Sequence, residues 1–349
     1  MADVGGSSGV QYFEGVEKLL EIWFTRTDGA VKQCDLRKIS RSKWESLLKI
    51  VRCEVISFVR NEHVDAYVLS ESSMFITNRR FILKTCGTTT PLLCLKPLLM
   101  LVEQYAGFNE VEDVFYSRKN FKRPDLQLSP HKAFEQEVAV LNSVFKDGAA
   151  YCMGNMIEDC WYLYTLNPLG EGNKTRRGIQ EPDQTLEILM SDLDPDIMNI
   201  FTREESSSAA EATQKSGIDK LIPNMVIDDF LFEPCGYSMN GISKKAGPEL
   251  AAGCYMTIHI TPEPEFSYVS FESNVPQASY KEVISRVLET FQPGKFVITV
   301  FANKASAAAA SPKELERQTS FGDWLRHDVQ YCRFKNYDLI YAFYSKFPS

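Results

Sequence analysis

No run in this chain of 349 residues approaches the roughly 20 apolar residues that a membrane-spanning helix needs. Even Pro91-Leu92-Leu93-Cys94-Leu95 is broken by Lys96. No secretory leader is recognisable at its start. The nine cysteines are odd in number and lack the close pairs of a metal site, so free thiols in a reducing compartment are expected, with no metal. Positive charge is also scarce. A net charge of −8 argues against a broad nucleic-acid surface and suits a cationic small molecule better. Two motifs are missing as well. No G-x-S-x-G elbow surrounds any serine, which leaves a Ser or Cys hydrolase without its signature. Cys86-Gly87-Thr88-Thr89-Thr90 looks like a phosphate loop but lacks the P-loop pattern. These absences together describe a cytoplasmic protein with neither membrane nor nucleic acid as partner.

What is present is a soluble globular composition, 44% hydrophobic and 24% charged, with ample material for a core. We read residues 1–349 as a single domain whose Gly- and Ser-rich residues 1–10 are frayed. Runs rich in Val, Ile, Phe and Tyr predict strands over 18–25 and within 53–87, around a helix at 40–51 with Trp44, Leu47 and Leu48 on one face. Helices are expected at 91–105 and 130–145, strands at 150–153 and 160–164, and a polar connection over 167–181. The second half repeats this recipe. Strands are expected at 185–190, 255–260 and 266–271, then an amphipathic helix at 279–291, then strands at 295–301 and 337–343. Similar order in the two halves suggests an ancient duplication. Loops at 204–216 and 243–253 are expected to be poorly ordered. Meandering strands with helices outside them point to antiparallel sheets, each covered on one face.

The most informative stretch is Leu69-Ser70-Glu71-Ser72-Ser73-Met74-Phe75. A serine directly after a glutamate in a β-rich run can attack the carbonyl of its own preceding residue. Amide becomes ester, a later elimination breaks the ester, and the chain cuts itself. The product at the new amino terminus would be a ketone. No ordinary side chain is a good electron sink, and enzymes that stabilise a carbanion usually borrow a carbonyl from pyridoxal phosphate. A pyruvoyl group made from Ser72 would supply one covalently, with no pyridoxal phosphate.

Four motifs extend this reading: YVLSESSMFITNRRFILKTCGTT (67–89), FEGVEKLLE (13–21), PCGYSMNG (234–241) and TIHITPEPEFSYVSFE (257–272). In this order they resemble the eukaryotic, animal-type S-adenosylmethionine decarboxylase family, over about residues 13–337. The resemblance implies an α+β fold, a four-layer α/β/β/α sandwich of two large antiparallel sheets, internally duplicated. It implies cleavage between Glu71 and Ser72 into chains 1–71 and 72–349. It also implies capture of the amine of S-adenosylmethionine by the new ketone, CO2 release, and an aminopropyl donor for spermidine and spermine. By the same resemblance, His259 is the base for elimination, Ser238 the hydroxyl that holds the intermediate, and Cys86 the proton donor to substrate. Glu14 and Glu17 are acidic active-site residues. Phe13 and Phe232 clamp the adenine, Glu263 grips the ribose, and Glu71 and the backbone of Leu69 lie by the ligand. Glu21, Asp183, Thr185, Glu187 and Glu272 match a putrescine pocket linked to the reaction centre through Lys84 and Glu17, with Phe115, Phe301 and Tyr337 lining it. A homodimer of processed αβ units is implied too.

Taken singly, these residues have bland readings. His259 could be a satisfied core imidazole, Ser238 a turn hydroxyl, Cys86 a small buried apolar residue, Glu14 and Glu17 a solvated face, and Phe232 core. Arg118 and Lys84 could neutralise the acidic pocket permanently. The rival in another class is a catalytically inactive homologue that regulates a true decarboxylase. Such a chain would be expected to lose Ser72, Cys86 or His259, and all three are present.

Overall fold

The computed structural model describes residues 12–166, 181–244, 253–334 and 336–347. The first half contributes strands β1 (Lys18–Thr25), β2 (Val55–Arg60), β3 (Asp65–Leu69), β4 (Ser72–Ile76), β5 (Arg80–Thr85), β6 (Glu110–Lys119), β7 (Gly148–Gly154) and β8 (Cys160–Leu166). They form one sheet in the order β2-β3-β4-β5-β1-β6-β8-β7. The second half contributes β9 (Gln184–Ser191), β10 (Met225–Leu231), β11 (Tyr237–Ser243), β12 (Tyr255–Thr261), β13 (Tyr268–Ser273), β14 (Lys295–Asn303), β15 (Ser320–Phe321), β16 (Trp324–Arg333) and β17 (Tyr337–Lys346). Their order is β10-β11-β12-β13-β9-β14-β17-β16-β15. Every pairing described is antiparallel. With the short β15 set aside, the second order is the first one repeated strand for strand, so duplication is visible as topology.

Helices cover the outer faces. On the first sheet lie α1 (Arg41–Val51), α2 (Leu95–Ala106) and α3 (Phe134–Val144); on the second lie α4 (Pro195–Asn199), α5 (Ala209–Ser216), α6 (Lys281–Phe291) and α7 (Ser311–Glu316). In α6 the buried set Val283, Ile284, Val287, Leu288 and Phe291 follows the three- and four-residue spacing seen in the sequence. Each sheet's outer face and its helices share a large apolar core. Among the described residues, the apolar packing between the sheets forms two smaller clusters, one around Trp161, Leu189 and Tyr341 and one around Phe75, Ile82 and Tyr255. The four layers are therefore helices, sheet, sheet, helices. The space between the two apolar clusters is polar.

Several boundaries differ from the sequence reading. The helix expected from residue 91 starts as a 3-10 turn, Pro91–Cys94, before α2; that expected from 130 starts at Phe134. The stretch 204–216, expected to be disordered, carries α5. Ser208 caps α5 by accepting from the Glu211 N–H, and Glu211 reaches back to the Ser207 N–H, a reciprocal capping pattern at S-x-x-E. Strands β6, β10, β11 and β16 were not expected, since Asp, Asn, Gly and Arg interrupt their apolar alternation. The frayed residues 1–10, the polar connection up to residue 180 and most of the 243–253 loop lie outside the described residues.

Candidate active site

Side-chain alternation builds the polar band. Along β9, Leu186, Ile188 and Met190 enter the helix-side core, which turns Glu187 inward. Along β13, Val269 and Phe271 do the same and turn Ser270 and Glu272 inward. Cross-strand register then lines up Asn240, Thr257, Glu272, Glu187 and Thr299 in one row across the second sheet. A neighbouring row holds Ser238, His259 and Ser270. On the facing sheet, Ser73 sits opposite Lys84 and Glu21 opposite Ile82.

The Glu71–Ser72 bond lies where a tight turn joins β3 to β4, whose residues Leu69 and Ser72 are paired. Met74 and Ile76 belong to the helix-side core, so strict alternation would send Ser72 there too. Instead Ser72 has φ of +113°, and its hydroxyl donates to Glu17 Oε1 on the inner side at 2.6 Å. A non-glycine residue in such a conformation carries about 1–3 kcal/mol of strain. The Glu71 carbonyl, which Ser72 would attack, accepts the Cys86 N–H at 3.2 Å.

His259 lies one serine further along. Its Nδ1 is 2.8 Å from Ser238 Oγ, and its Nε2 is 3.0 Å from Ser73 Oγ and 2.9 Å from Thr257 Oγ1. Ser73 also donates to Asn240 Oδ1 at 2.6 Å. Burial lowers the His259 pKa to about 4 against the pull of Glu17, so the ring is neutral and able to take a proton. Burial also pushes the Cys86 thiol well up, Glu17 adding to it and Lys18 opposing. An ordinary cysteine would exchange close to neutral pH; here the thiol stays protonated, as a proton donor must. Glu17 is held below the usual carboxylate range. Burial works against this, and the Lys84 charge, helped by the hydrogen bond from Ser72, outweighs it.

A pocket of about 430 Å³ joins these groups, with Phe13, Phe232, Cys86, Ser238, His259 and Glu263 among its walls, together with Glu71 and Ser72. Its volume falls within the ~300–1,000 Å³ of small-molecule sites. Two glycines permit the approach of the chain. A Cβ at Gly15 would lie 2.9 Å from Thr261 Oγ1 and from Tyr268, and Gly87, with φ of +60°, lies against the Phe13 ring. The Glu14 carboxylate is taken up by Tyr12 and the N–H groups of Lys122 and Arg123. The Leu69 side chain is buried in the helix-side core, which leaves its backbone for the expected ligand contact.

Deeper between the sheets, Lys84 reaches Glu272 at 2.6 Å, Glu187 at 3.3 Å and Glu17 at 3.6 Å. Further on, Arg80 binds Glu21 at 2.8 Å and Asp183 at 3.2 Å and lies over the Trp23 ring. Phe115 packs edge-on against Phe301 and Tyr337, and Thr185 is the strand partner of Phe301. Arg118 plays no part in this pocket. By alternation it lies on the opposite, helix-side face, where it pairs with Glu137 at 2.8 Å among aromatic rings. Arg80, which the sequence reading passed over, is the cation that faces the acids. Five buried carboxylates (Glu17, Glu21, Asp183, Glu187, Glu272) thus meet two cations (Arg80, Lys84), an excess of three. Burial raises Glu187 to about 7, Lys84 opposing and Glu272 adding, and burial raises Glu21 as well, against Arg80.

Sequence reasoning also missed Ser73, Thr257 and Asn240, the polar contacts around His259. Thr257 was within reach, since it lies two residues before His259 on a strand and so shares its face.

Residues 10–345 match the family model described as adenosylmethionine decarboxylase. A Drosophila melanogaster protein named S-adenosylmethionine decarboxylase proenzyme is 53% identical over 97% of this chain and 96% of its own length. A Xenopus laevis protein of the same name is 48% identical over 97% of both. Among solved structures, the Trypanosoma brucei AdoMetDC-delta26 monomer aligns with a TM-score of 0.58 at 25% identity, covering 78% of this chain and 98% of that one. Family model, relatives and architecture agree, and the chain belongs to the adenosylmethionine decarboxylase family.

Proposed function

We propose that this chain is the precursor of a pyruvoyl-dependent decarboxylase that cuts itself between Glu71 and Ser72 and then releases CO2 from S-adenosylmethionine. The observation that carries the proposal is the state of Ser72: φ of +113°, hydroxyl 2.6 Å from Glu17, and the carbonyl before it 3.2 Å from the Cys86 N–H. These contacts support reading Ser72 as nucleophile, Glu17 as base and the Cys86 N–H as oxyanion donor. The Ser72 Oγ bonds to the Glu71 carbonyl carbon as the amide C–N bond breaks, and the hydroxyl proton passes by way of Glu17 to the freed nitrogen. Elimination then removes the Ser72 α-proton and breaks the Cβ–O bond. Neutral His259 is the base for that step, and Ser238 Oγ, bonded to it, braces the intermediate. Water replaces the nitrogen, which leaves as ammonia.

The ketone left at position 72 supplies the electron sink for the pair that CO2 leaves behind. Around it, Phe13 and Phe232 form apolar walls suited to stacking on a purine and attracting a sulfonium. Glu263 and the Glu71 carboxylate offer acceptors for ribose hydroxyls, and the protonated Cys86 thiol holds the proton that substrate carbon needs. The product would be the aminopropyl donor for spermidine and spermine.

The acidic pocket supports putrescine as an activator. A diammonium ion entering beside Asp183, Thr185 and Glu21 would offset most of the excess of three carboxylates, and the Lys84–Glu17 contact links it to Ser72. A homodimer of processed αβ units and a cytoplasmic location complete the reading. All nine cysteines are free. Among the described residues no helix is long and apolar enough to cross a membrane. Electrophoresis tests the first half of the proposal, since self-cleavage gives two bands split at residue 71. Carboxyl-labelled S-adenosylmethionine tests the second. A folded chain that stays whole and releases no labelled CO2 defeats it.

A further inference from the structure

Lys18, met so far only as the cation that opposes the rise of the Cys86 thiol, is 0% exposed. A buried ammonium is costly unless its surroundings require it. The acid nearest in kind, Glu137, is already engaged by Arg118, His131 and Tyr116. Both hydrogen bonds of Lys18 go instead to neutral oxygens, the Gly87 carbonyl at 2.9 Å and Gln127 Oε1 at 3.1 Å. The Phe121 ring lies 5.2 Å away. A cation spent on a backbone carbonyl in the interior marks that stretch of backbone as one that must not move.

The stretch is the Cys86–Gly87 turn. Gly87, with φ of +60°, donates its N–H to the Glu14 carbonyl at 2.8 Å, and the N–H before it, that of Cys86, meets the Glu71 carbonyl at 3.2 Å. That carbonyl oxygen gains negative charge when Ser72 attacks. Glu17 immediately precedes β1 and Lys18 is its first residue, and the two side chains face opposite sides of the sheet. Glu17 holds the attacking hydroxyl from the inner side, while Lys18 reaches from the helix side to the turn that carries the oxyanion donor.

We propose that Lys18 is a positioning residue for self-cleavage: its ammonium, anchored by Gln127, fixes the Cys86–Gly87 turn so that the Cys86 N–H receives the developing oxyanion. The inference rests on the cleavage proposed above. The bond changes are those already given, Oγ–C formed and C–N broken, and Lys18 exchanges no proton in them.

The test follows freshly translated full-length chain by electrophoresis near pH 7. Lys18→Met is expected to slow cleavage at least tenfold, Lys18→Arg to recover a substantial part of the rate, and Gln127→Ala to slow it two- to fivefold. The His259→Ala background, in which the elimination base is absent, isolates the first step. There the ester trapped by hydroxylamine should form about tenfold more slowly with Lys18→Met, an effect that a loss of stability alone would not produce in chains still folded. Melting curves of the same substitutions in uncleavable Ser72→Ala report folding. A folded Lys18→Met chain that cleaves at the wild-type rate overturns the proposal, and so does slow cleavage that Lys18→Arg leaves unrestored. Should Lys18→Met not fold, Gln127→Ala decides, an unchanged rate counting against. If the unaltered chain itself never cleaves, the failure belongs to the reading of Ser72 and not to Lys18.

Discussion

The two halves of this molecule lay their strands in the same order and use them for different ends. In the first, β3 and β4 are joined by a tight turn, and the turn carries Ser72. In the second, the corresponding pair β11 and β12 is joined by a longer connection, and the chemistry sits at the opposite, open end of the hairpin, on Ser238 and His259. The reactive pocket therefore forms where the hairpin tip of one sheet meets the open hairpin end of the other. At the far end of the sandwich the roles reverse. There Thr77, just beyond β4, and Gly253 and Cys254, just before β12, line a cleft of about 630 Å³ together with Arg80 and Asp183. One fold unit used twice gives two crevices. One holds a strained serine, a neutral histidine and a protonated thiol; the other ends on ion pairs.

Substitutions at the two ends should separate accordingly. The largest effect is expected for Ser72→Ala, which removes the nucleophile and should abolish cleavage, leaving a single band on electrophoresis. His259→Ala should also stop short of two chains, but at the ester, so that hydroxylamine splits it and leaves Ser72→Ala untouched. If hydroxylamine cleaves neither, His259 acts before the ester and its role as elimination base is wrong.

At the other crevice, Asp183→Asn should leave self-cleavage in place and blunt the response of decarboxylation to putrescine. A tenfold rise in the concentration for half stimulation, about 1.4 kcal/mol, is the expected scale for losing one charged partner. An unchanged response, or no response in the unaltered chain either, would remove the diamine from this pocket.

How much of this division is legible in the sequence depends on the kind of signal. The helix α6 and strands β5 and β14 announce themselves because apolar periodicity and burial coincide. The β11 strand, Tyr-Ser-Met-Asn-Gly-Ile-Ser, does not, because two of its inner positions, Ser238 and Asn240, are polar and Gly241 interrupts the outer face, which removes the pattern a strand is recognised by. The same conflict hides Arg80 and Lys18. A charged residue within a strand reads as a solvent-facing position, whereas Arg80 faces the second sheet and Lys18 the helix side. Arg118 failed in the other direction. One residue of parity placed it on the helix side, although its type suited the acidic pocket.

The pH dependence of diamine binding sharpens the comparison more gently. Burial raises Glu187 to about 7, against an ordinary value of 4.5. The folded chain therefore binds more protons than the unfolded one between these values, and the Glu187 contribution to stability is full below pH 4.5 and lost as pH rises through about 7. A dication favours the ionised form, so putrescine should bind more tightly at pH 8 than at pH 6, measured by titration calorimetry, with Glu187→Gln flattening the difference. An affinity that instead falls with rising pH would mean that the carboxylates are fully paired before the diamine arrives.

The smallest effect concerns helices that occupy matching places in the two halves. Between β1 and β2 lies α1, eleven residues whose Trp44, Leu47, Leu48 and Val51 are buried; between β9 and β10 lie the short α4 and the eight-residue α5, which buries only Ala212 and Thr213. With so little apolar surface, α5 depends on its ends. The hydroxyl of Ser208 accepts the Glu211 N–H, Glu211 is joined to Lys215, and Gly217, with φ of +78°, closes the last turn. Ser208→Ala should therefore cost about 1 kcal/mol, read as a fall in melting temperature of about 2 °C or less in a chain of this size. Cleavage at Ser72 should proceed at its usual rate, because α5 packs on the outer face of the second sheet, behind Tyr237 and Met239 rather than beside Ser238. A clear slowing of cleavage in Ser208→Ala would show that the outer helical layer sets the position of β11, and that the two faces of this sheet are not independent.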